Sequence, residues 1–217
     1  MGGHALNTDG LDAIADAARE HFGAKHRARE VALPLCRETI RLSANAIRSV
    51  HRRDFAAADE LLARAAENLR QARDGLVEHK DIFHAGFVHD AQKEYVEASA
   101  TLALVAGRPL PTPDGLEVLV AAYMNGLGEV IGELRRHLLD SLREGDVAHC
   151  EDALRSMGDI YDVLVTMDFP EAITGGLRRT TDAMRGILER TRGDFTMAAV
   201  QRRLEERLDR LDERLTE

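Results

Sequence analysis

The sequence predicts an all-α protein, and three observations carry that expectation. Ala, Leu, Arg and Glu are abundant, whereas aromatic residues make up 4% and Trp is absent. Straight-chain residues and Ala lose little freedom in a helix, while β-branched and aromatic side chains favour sheets. Apolar residues recur at spacings of three and four, no stretch alternates convincingly with a period of two, and the breaks are short and marked by Gly, Pro or a capping Asp. With 217 residues, 44% hydrophobic and 31% charged, the chain is long enough to bury a sizeable core, and a single helical domain over 1–217 is expected.

The elements follow in order. A first segment, about 11–22, comes after Thr8 and Asp9; a second spans about 24–51, with Gly23 either separating the two or absorbed. Pro34 predicts a kink or a break near Leu33. Asp54 caps a third segment, 55–79, whose Phe55, Leu61, Leu62, Ala65, Leu69 and Leu76 follow a helical pattern. The fourth, 82–105, ends at Gly107, and the Pro-rich stretch 107–114 reads as an ordered loop. The fifth, from Leu116 to Glu144, is closed by Gly145. Asp146 opens the sixth, which ends near Pro170. The seventh covers about 171–192, and Asp194 opens a last helix to Leu215, with Leu204, Leu208, Leu211 and Leu215 in a narrow stripe suited to a partner helix. About seven long helices in an α-α bundle or superhelix result.

Charge and composition exclude several function classes. With 29 basic against 38 acidic side chains the net charge is −9, which argues against non-specific coating of nucleic acid, so a polyanion site has to be a local patch. Cys36 and Cys150 match no metal-ligand spacing, and a reducing, cytoplasmic setting fits them. No basic region followed by an apolar core begins the chain, and no stretch approaches 18 uninterrupted apolar residues, so neither secretion nor a membrane partner is expected. Serine-hydrolase, P-loop and dinucleotide-binding motifs are absent from the sequence.

Two helices carry acidic pairs beside their apolar faces. Glu94 and Glu97 lie about 60° apart on the wheel, bordering the stripe Phe87, Ala91, Tyr95, Ala98 and Leu102; Glu129 and Glu133 lie about 40° apart, bordering Tyr123, Leu127, Val130, Leu134 and Leu138. Solvated helix charges are the bland alternative. Gly126, Gly128 and Gly132 surround Glu129, and each interior glycine costs roughly 0.8–1.0 kcal/mol relative to alanine. Close approach of another backbone or a ligand is the usual reason. If the two helices pack there, four carboxylates converge, a repulsive arrangement that a divalent cation relieves. Oxygen-only donors indicate Mg²⁺ or Mn²⁺ rather than zinc. A ferritin-like di-iron site needs two Glu-x-x-His tetrapeptides, which the chain lacks; His137, one turn after Glu133, is more simply structural. Arg37, Arg41 and Arg48 line one side of the second segment, near His51, Arg52 and Arg53. Without interleaved aromatics they form at most a phosphate-contact stripe, with a solvated face as the alternative.

The block Lys93-Glu94-Tyr95-Val96-Glu97-Ala98, followed by the run from Tyr123 through Gly126, Glu129, Gly132, Glu133 and Leu134 to Arg136 and then by Gly145-Asp146, resembles the translin superfamily. The match is closest to its Trax (translin-associated factor X) branch, with a Q/K-E-Y-V-E-A helix and a later Y-x-x-G-x-x-D-x-x-G-E-L-x-R helix in this order. The likeness spans about 27–192 and is strongest in those two blocks. It implies a seven-helix fold assembled as a hollow, octamer-like homo-oligomer, and an Mg²⁺-dependent endoribonuclease acting on single-stranded RNA inside it, leaving a 5′-phosphate and a 3′-hydroxyl. By position, Glu94, Glu97 and Glu129 are expected to hold the metal, with Glu133 as a fourth member, and the carboxylate-held metal to activate water. Arg136 is a candidate phosphate contact. Position 129 carries Glu where the branch usually has Asp. Plain translin subunits lack the two glutamates of the first block. The competing readings are a non-catalytic single-stranded RNA or single-stranded DNA binder and a helical scaffold that recruits a protein through its last helix.

Overall fold

The computed structural model describes residues 8–216, the side chains of Ala148, Leu215 and Thr216 excepted. Residues 1–7, at the start of the chain, and the Leu215 member of the leucine stripe therefore lie outside what is described. Among the described residues there are nine helices and no strand: α1 (Leu11–His51), α2 (Phe55–Gly75), α3 (Lys80–Phe83), α4 (Gly86–Val105), α5 (Pro113–Leu116), α6 (Val120–Glu144), α7 (Val147–Val165), α8 (Glu171–Thr174) and α9 (Leu177–Thr216). The all-α expectation holds, with α3, α5 and α8 as single turns between the long elements.

Several boundaries have the local cause the sequence indicates. The Asp54 carboxylate accepts a hydrogen bond from the Ala57 amide at 3.2 Å, and Asp146 does the same for His149 at 3.2 Å, each satisfying one orphan donor of a first turn. Gly145, at φ 79, ends α6 in the left-handed conformation that costs glycine least.

Of the alternatives left open at Gly23 the structure takes absorption, and no break occurs near Leu33: the segments 11–22 and 24–51 are one 41-residue helix that runs through Pro34. Pro34 cannot donate to Glu30, but both residues are exposed, so solvent can serve the freed carbonyl. Likewise 171–192 and 194–215 do not divide at Asp194: α8 is a separate turn, and α9 continues unbroken for 40 residues. The third segment stops at Gly75 rather than 79, and the fifth starts at Val120, after the α5 turn, rather than at Leu116.

Helix α4 is central. On one side its Val88, Ala91, Tyr95, Ala98 and Leu102 pack with α1 and α2, around Ala46, Val50, Leu62 and Leu69. On the other its Val96 and Ala100 join Leu127, Val130 and Ile131 of α6, and beyond these Met157 and Leu164 of α7 and Met184 of α9. With α4 buried on both faces, its Lys93, Glu94 and Glu97 come to lie half-buried at the border between them. Cys36 and Cys150 are both buried, and burial raises the thiol pKa of each, that of Cys36 to about 11. No described helix is long and apolar enough to cross a membrane.

Candidate metal centre at the crossing of two helices

Within the Lys93–Ala98 block, Tyr95, Val96 and Ala98 are buried, while Lys93, Glu94 and Glu97 are only half-buried. At spacings of one, three and four they share the side of α4 that borders α6. The two helices touch backbone to side chain at Gly126, where a Cβ would lie 2.5 Å from the Lys93 carbonyl oxygen and 2.8 Å from the Val96 Cβ. At Gly128 a Cβ would lie 2.5 Å from Thr180 Cγ2 of α9. These two glycines therefore have the close-approach role that the sequence suggests, α4 on one side and α9 on the other. Gly132 does not: nothing lies within 4 Å of the Cβ it lacks.

Close approach at Gly126 brings the acids of two helices together. Carboxylate oxygens of Glu94, Glu97 and Glu129 all lie within 4.8 Å of one another. Lys93 answers part of this charge, donating from Nζ to Glu129 Oε1 at 2.7 Å and standing 3.9 Å from Glu94. Burial works against the Lys93 ammonium, but the Glu129 hydrogen bond and the surrounding carboxylates outweigh it and hold its pKa above the ordinary lysine value. Burial, and after it the Glu129 charge, raises the pKa of Glu94, with Lys93 partly offsetting both. Glu97 is the extreme case: burial, then the charges of Glu129, Glu94 and Glu133, push it up to about 8.

Glu133 sits apart from the three. Its Oε2 is 2.6 Å from Nε2 of His51, the last residue of α1, whose side chain is 5% exposed. That hydrogen bond, acting against burial, holds the Glu133 pKa below the ordinary carboxylate range. The convergence of four is thus a triplet with a fourth carboxylate tied to a neighbouring histidine. The other ring nitrogen of His51, Nδ1, is buried without a hydrogen-bond partner. His137 is half-buried, and burial, followed by the charges of His51, Arg53 and His149, lowers its pKa.

Of the arginines singled out by sequence, Arg41 binds Glu38 through Nε and Nη2 at 2.7 and 2.6 Å, and Arg48 donates to the Asn45 side chain at 2.6 Å. Arg37 is exposed, as is Arg136, whose charge is felt by Glu133. Arg37 and Arg41 lie about 21 and 15 Å along α1 from His51, and the Glu38 that Arg41 holds is also 4.0 Å from Arg64 of α2, so of this stripe only Arg48, one turn before His51, is close to the end of α1 that meets Glu133. Sequence reasoning gave no site role to three residues, Lys93, His51 and Arg179. The Lys93–Glu129 ion pair joins positions 36 apart and His51–Glu133 positions 82 apart, and neither leaves a local signal. Arg179, in the first turns of α9, borders a cleft shared with Glu97 and Glu129; its place was hidden because an independent start for 171–192 put it mid-helix.

No protein-family profile matches the chain. Among solved structures, AfC3PO in complex with duplex RNA is 34% identical with a TM-score of 0.80, over 87% of this chain and 97% of that one. AfC3PO without RNA gives 33% and 0.79, over 87% and 98%. Apo-NeC3PO is 20% identical with a TM-score of 0.73, over 90% and 100%, a likeness of fold. The uncharacterized protein MJ0175 of Methanocaldococcus jannaschii is 31% identical over 191 residues, 86% of this chain and 83% of that protein. Fold and site together define an all-helical protein with a carboxylate triplet where its two central helices cross. The chain belongs to the translin/C3PO family.

Proposed function

We propose that this chain is a divalent-metal-dependent endoribonuclease of the Trax type, in which Glu94, Glu97 and Glu129 hold Mg²⁺ or Mn²⁺. The observation that carries the reading is the triplet itself, three carboxylates within 4.8 Å of one another across the α4–α6 seam. Its donor set fits a hard cation, since every donor is oxygen, and burial together with the neighbouring carboxylate charges raises the Glu97 pKa to about 8, a penalty on its charged form that a bound cation would offset. Such an ion, when bound, polarises a phosphodiester and lowers the pKa of bound water.

The chain's own residues do the rest. Lys93 fixes the Glu129 carboxylate at the seam. His51 holds Glu133 ionised through Oε2, leaving Oε1 to accept a proton or orient a water beside the triplet. Arg37, Arg41 and Arg48 along α1, and Arg136 one turn from Glu133, are the positions for phosphate contacts. RNA is the substrate class because AfC3PO, 34% identical, was solved with duplex RNA. Single-stranded RNA is the proposed cleavage substrate, with single-stranded DNA as a second ligand. Assembly as a hollow, octamer-like homo-oligomer would cover apolar side chains now exposed, among them Phe169, Ile173, Leu204 and Leu208.

The Lys93–Glu129 ion pair favours a second reading, a non-catalytic RNA or DNA binder in which an ammonium has taken the cation's place. Cleavage of labelled single-stranded and duplex RNA across an Mg²⁺ titration, with wild type beside Glu97→Gln, separates the two: metal-dependent cutting lost in the variant supports the nuclease, and binding without cutting supports the binder.

A further inference from the structure

We propose that the cleft between α6 and the first turns of α9 is a nucleotide subsite, seating the base next to the cleaved linkage against Ala183 and Ile187 and its phosphate against Arg179; the proposal rests on the ribonuclease reading above. The cleft, about 380 Å³, has Glu97 and Glu129 on one wall and Arg179, Thr180, Ala183 and Ile187 on the other. Glu97 and Glu129 of the triplet thus line it, and an occupant lies beside the candidate metal centre.

The wall is built to stay open. Gly128 lets α9 approach α6 so closely that a Cβ would meet Thr180, and Thr180 Oγ1 donates to Asn125 Oδ1 at 2.8 Å while Asn125 Nδ2 donates to the Thr174 carbonyl at 2.7 Å. The start of α9 is therefore held against α6 at Thr180, and the α8 turn before it is held to α6 through Thr174. Arg179, Ala183 and Ile187 follow at spacings of four and form one strip. Ala183 is exposed and small, so the strip has a shallow apolar middle with a single exposed guanidinium at its end.

Chemistry selects the occupant. The volume lies in the range of small-ligand pockets, and a helix about 10 Å across does not fit. Arg179 attracts a phosphate at the end of the strip, so a nucleotide enters with that phosphate towards α9's first turn and its ring over the apolar middle. Thr180 already spends its hydroxyl on Asn125, so little is left to read a base edge, and the subsite tolerates any base.

The test uses Ala183→Leu, Arg179→Ala and Arg179→Lys in the full chain, with a labelled single-stranded RNA and the same RNA carrying an abasic nucleotide beside the cleaved linkage. Expected are a KM raised about tenfold by Ala183→Leu and by Arg179→Ala with kcat nearly unchanged, partial recovery in Arg179→Lys, and Mn²⁺ affinity as in wild type. The abasic RNA should lose cleavage by wild type and lose no more with Ala183→Leu. Wild-type KM in both variants, with the wild type cutting RNA, overturns the subsite and leaves the nuclease reading standing. A wild type that binds Mn²⁺ but neither cuts nor binds RNA overturns both. A change of particle size in Ala183→Leu assigns this face to a contact between copies of the chain and likewise overturns the subsite.

Discussion

The Lys93 ammonium lies 2.7 Å from the Glu129 carboxylate across the α4–α6 seam, and the two come from the helices whose backbones close on each other at Gly126. The pair places one fixed cation beside three carboxylates. It stabilises the metal-free seam and competes with any ion that enters it.

Lys93→Met should accordingly act in opposite directions on two readouts. Thermal stability of the metal-free protein falls because the acids lose their counter-charge, while Mn²⁺ affinity by titration calorimetry rises by roughly tenfold because a nearby positive charge is gone. Weaker Mn²⁺ binding in the variant would show that Lys93 assists the ion rather than competing with it.

Glu97 makes metal-free stability pH-dependent, with a definite sign. Its folded pKa, about 8, lies above the ordinary 4.5, so the stability from its neutral form is fully present below 4.5 and is lost as pH rises through 8. Melting temperature should fall by about 5 °C or more between pH 5 and 9. Glu97→Gln flattens that slope, and saturating Mn²⁺ removes it in wild type. A wild-type slope that survives unchanged in Glu97→Gln assigns the effect to other groups.

His51→Ala leaves Glu133 half-buried without its donor and should cost about 1–3 kcal/mol in urea unfolding at pH 7. Because the hydrogen bond holds the Glu133 pKa below 4.5, its stabilisation is present above that value and is lost as pH falls through the folded pKa. The difference between variant and wild type therefore narrows in acid; a difference constant from pH 7 to pH 3 would assign the loss to packing alone.

The glycines of α6 should separate cleanly. Gly126→Ala drives a Cβ into the Lys93 carbonyl and destabilises by roughly 2 kcal/mol while weakening Mn²⁺ binding through the spread seam. Gly132→Ala meets open space within an α-helix and should stabilise by about 0.5–1 kcal/mol if Gly132 serves only the helix. Chemical denaturation of the two variants side by side checks both signs.

Much of this architecture is legible from residue pattern, because its causes are local. Asp54, Asp146 and Gly145 mark helix ends through their own side chain or backbone, and the apolar stripes of α4 and α6 name their buried faces before any packing is known. Pro34 and Asp194 mislead for the opposite reason: a breaker acts only if the surrounding structure leaves its backbone groups unserved, and each is exposed on its helix. Glu94, Glu97 and Glu129 can be placed at one point from helix geometry and glycine spacing. That Glu133 turns to His51 cannot, since it depends on where the end of α1 lands against α6.

The central claim is that the triplet serves metal-dependent cutting of RNA. It is tested most directly by following cleavage of labelled single-stranded RNA against Mg²⁺ concentration for wild type and Glu97→Gln, with RNA binding measured in parallel. Saturable Mg²⁺-dependent cleavage by wild type is expected, reduced at least a hundredfold in the variant, with RNA affinity retained. Equal cleavage by the two proteins, or cleavage by wild type that persists in excess chelator, would contradict it.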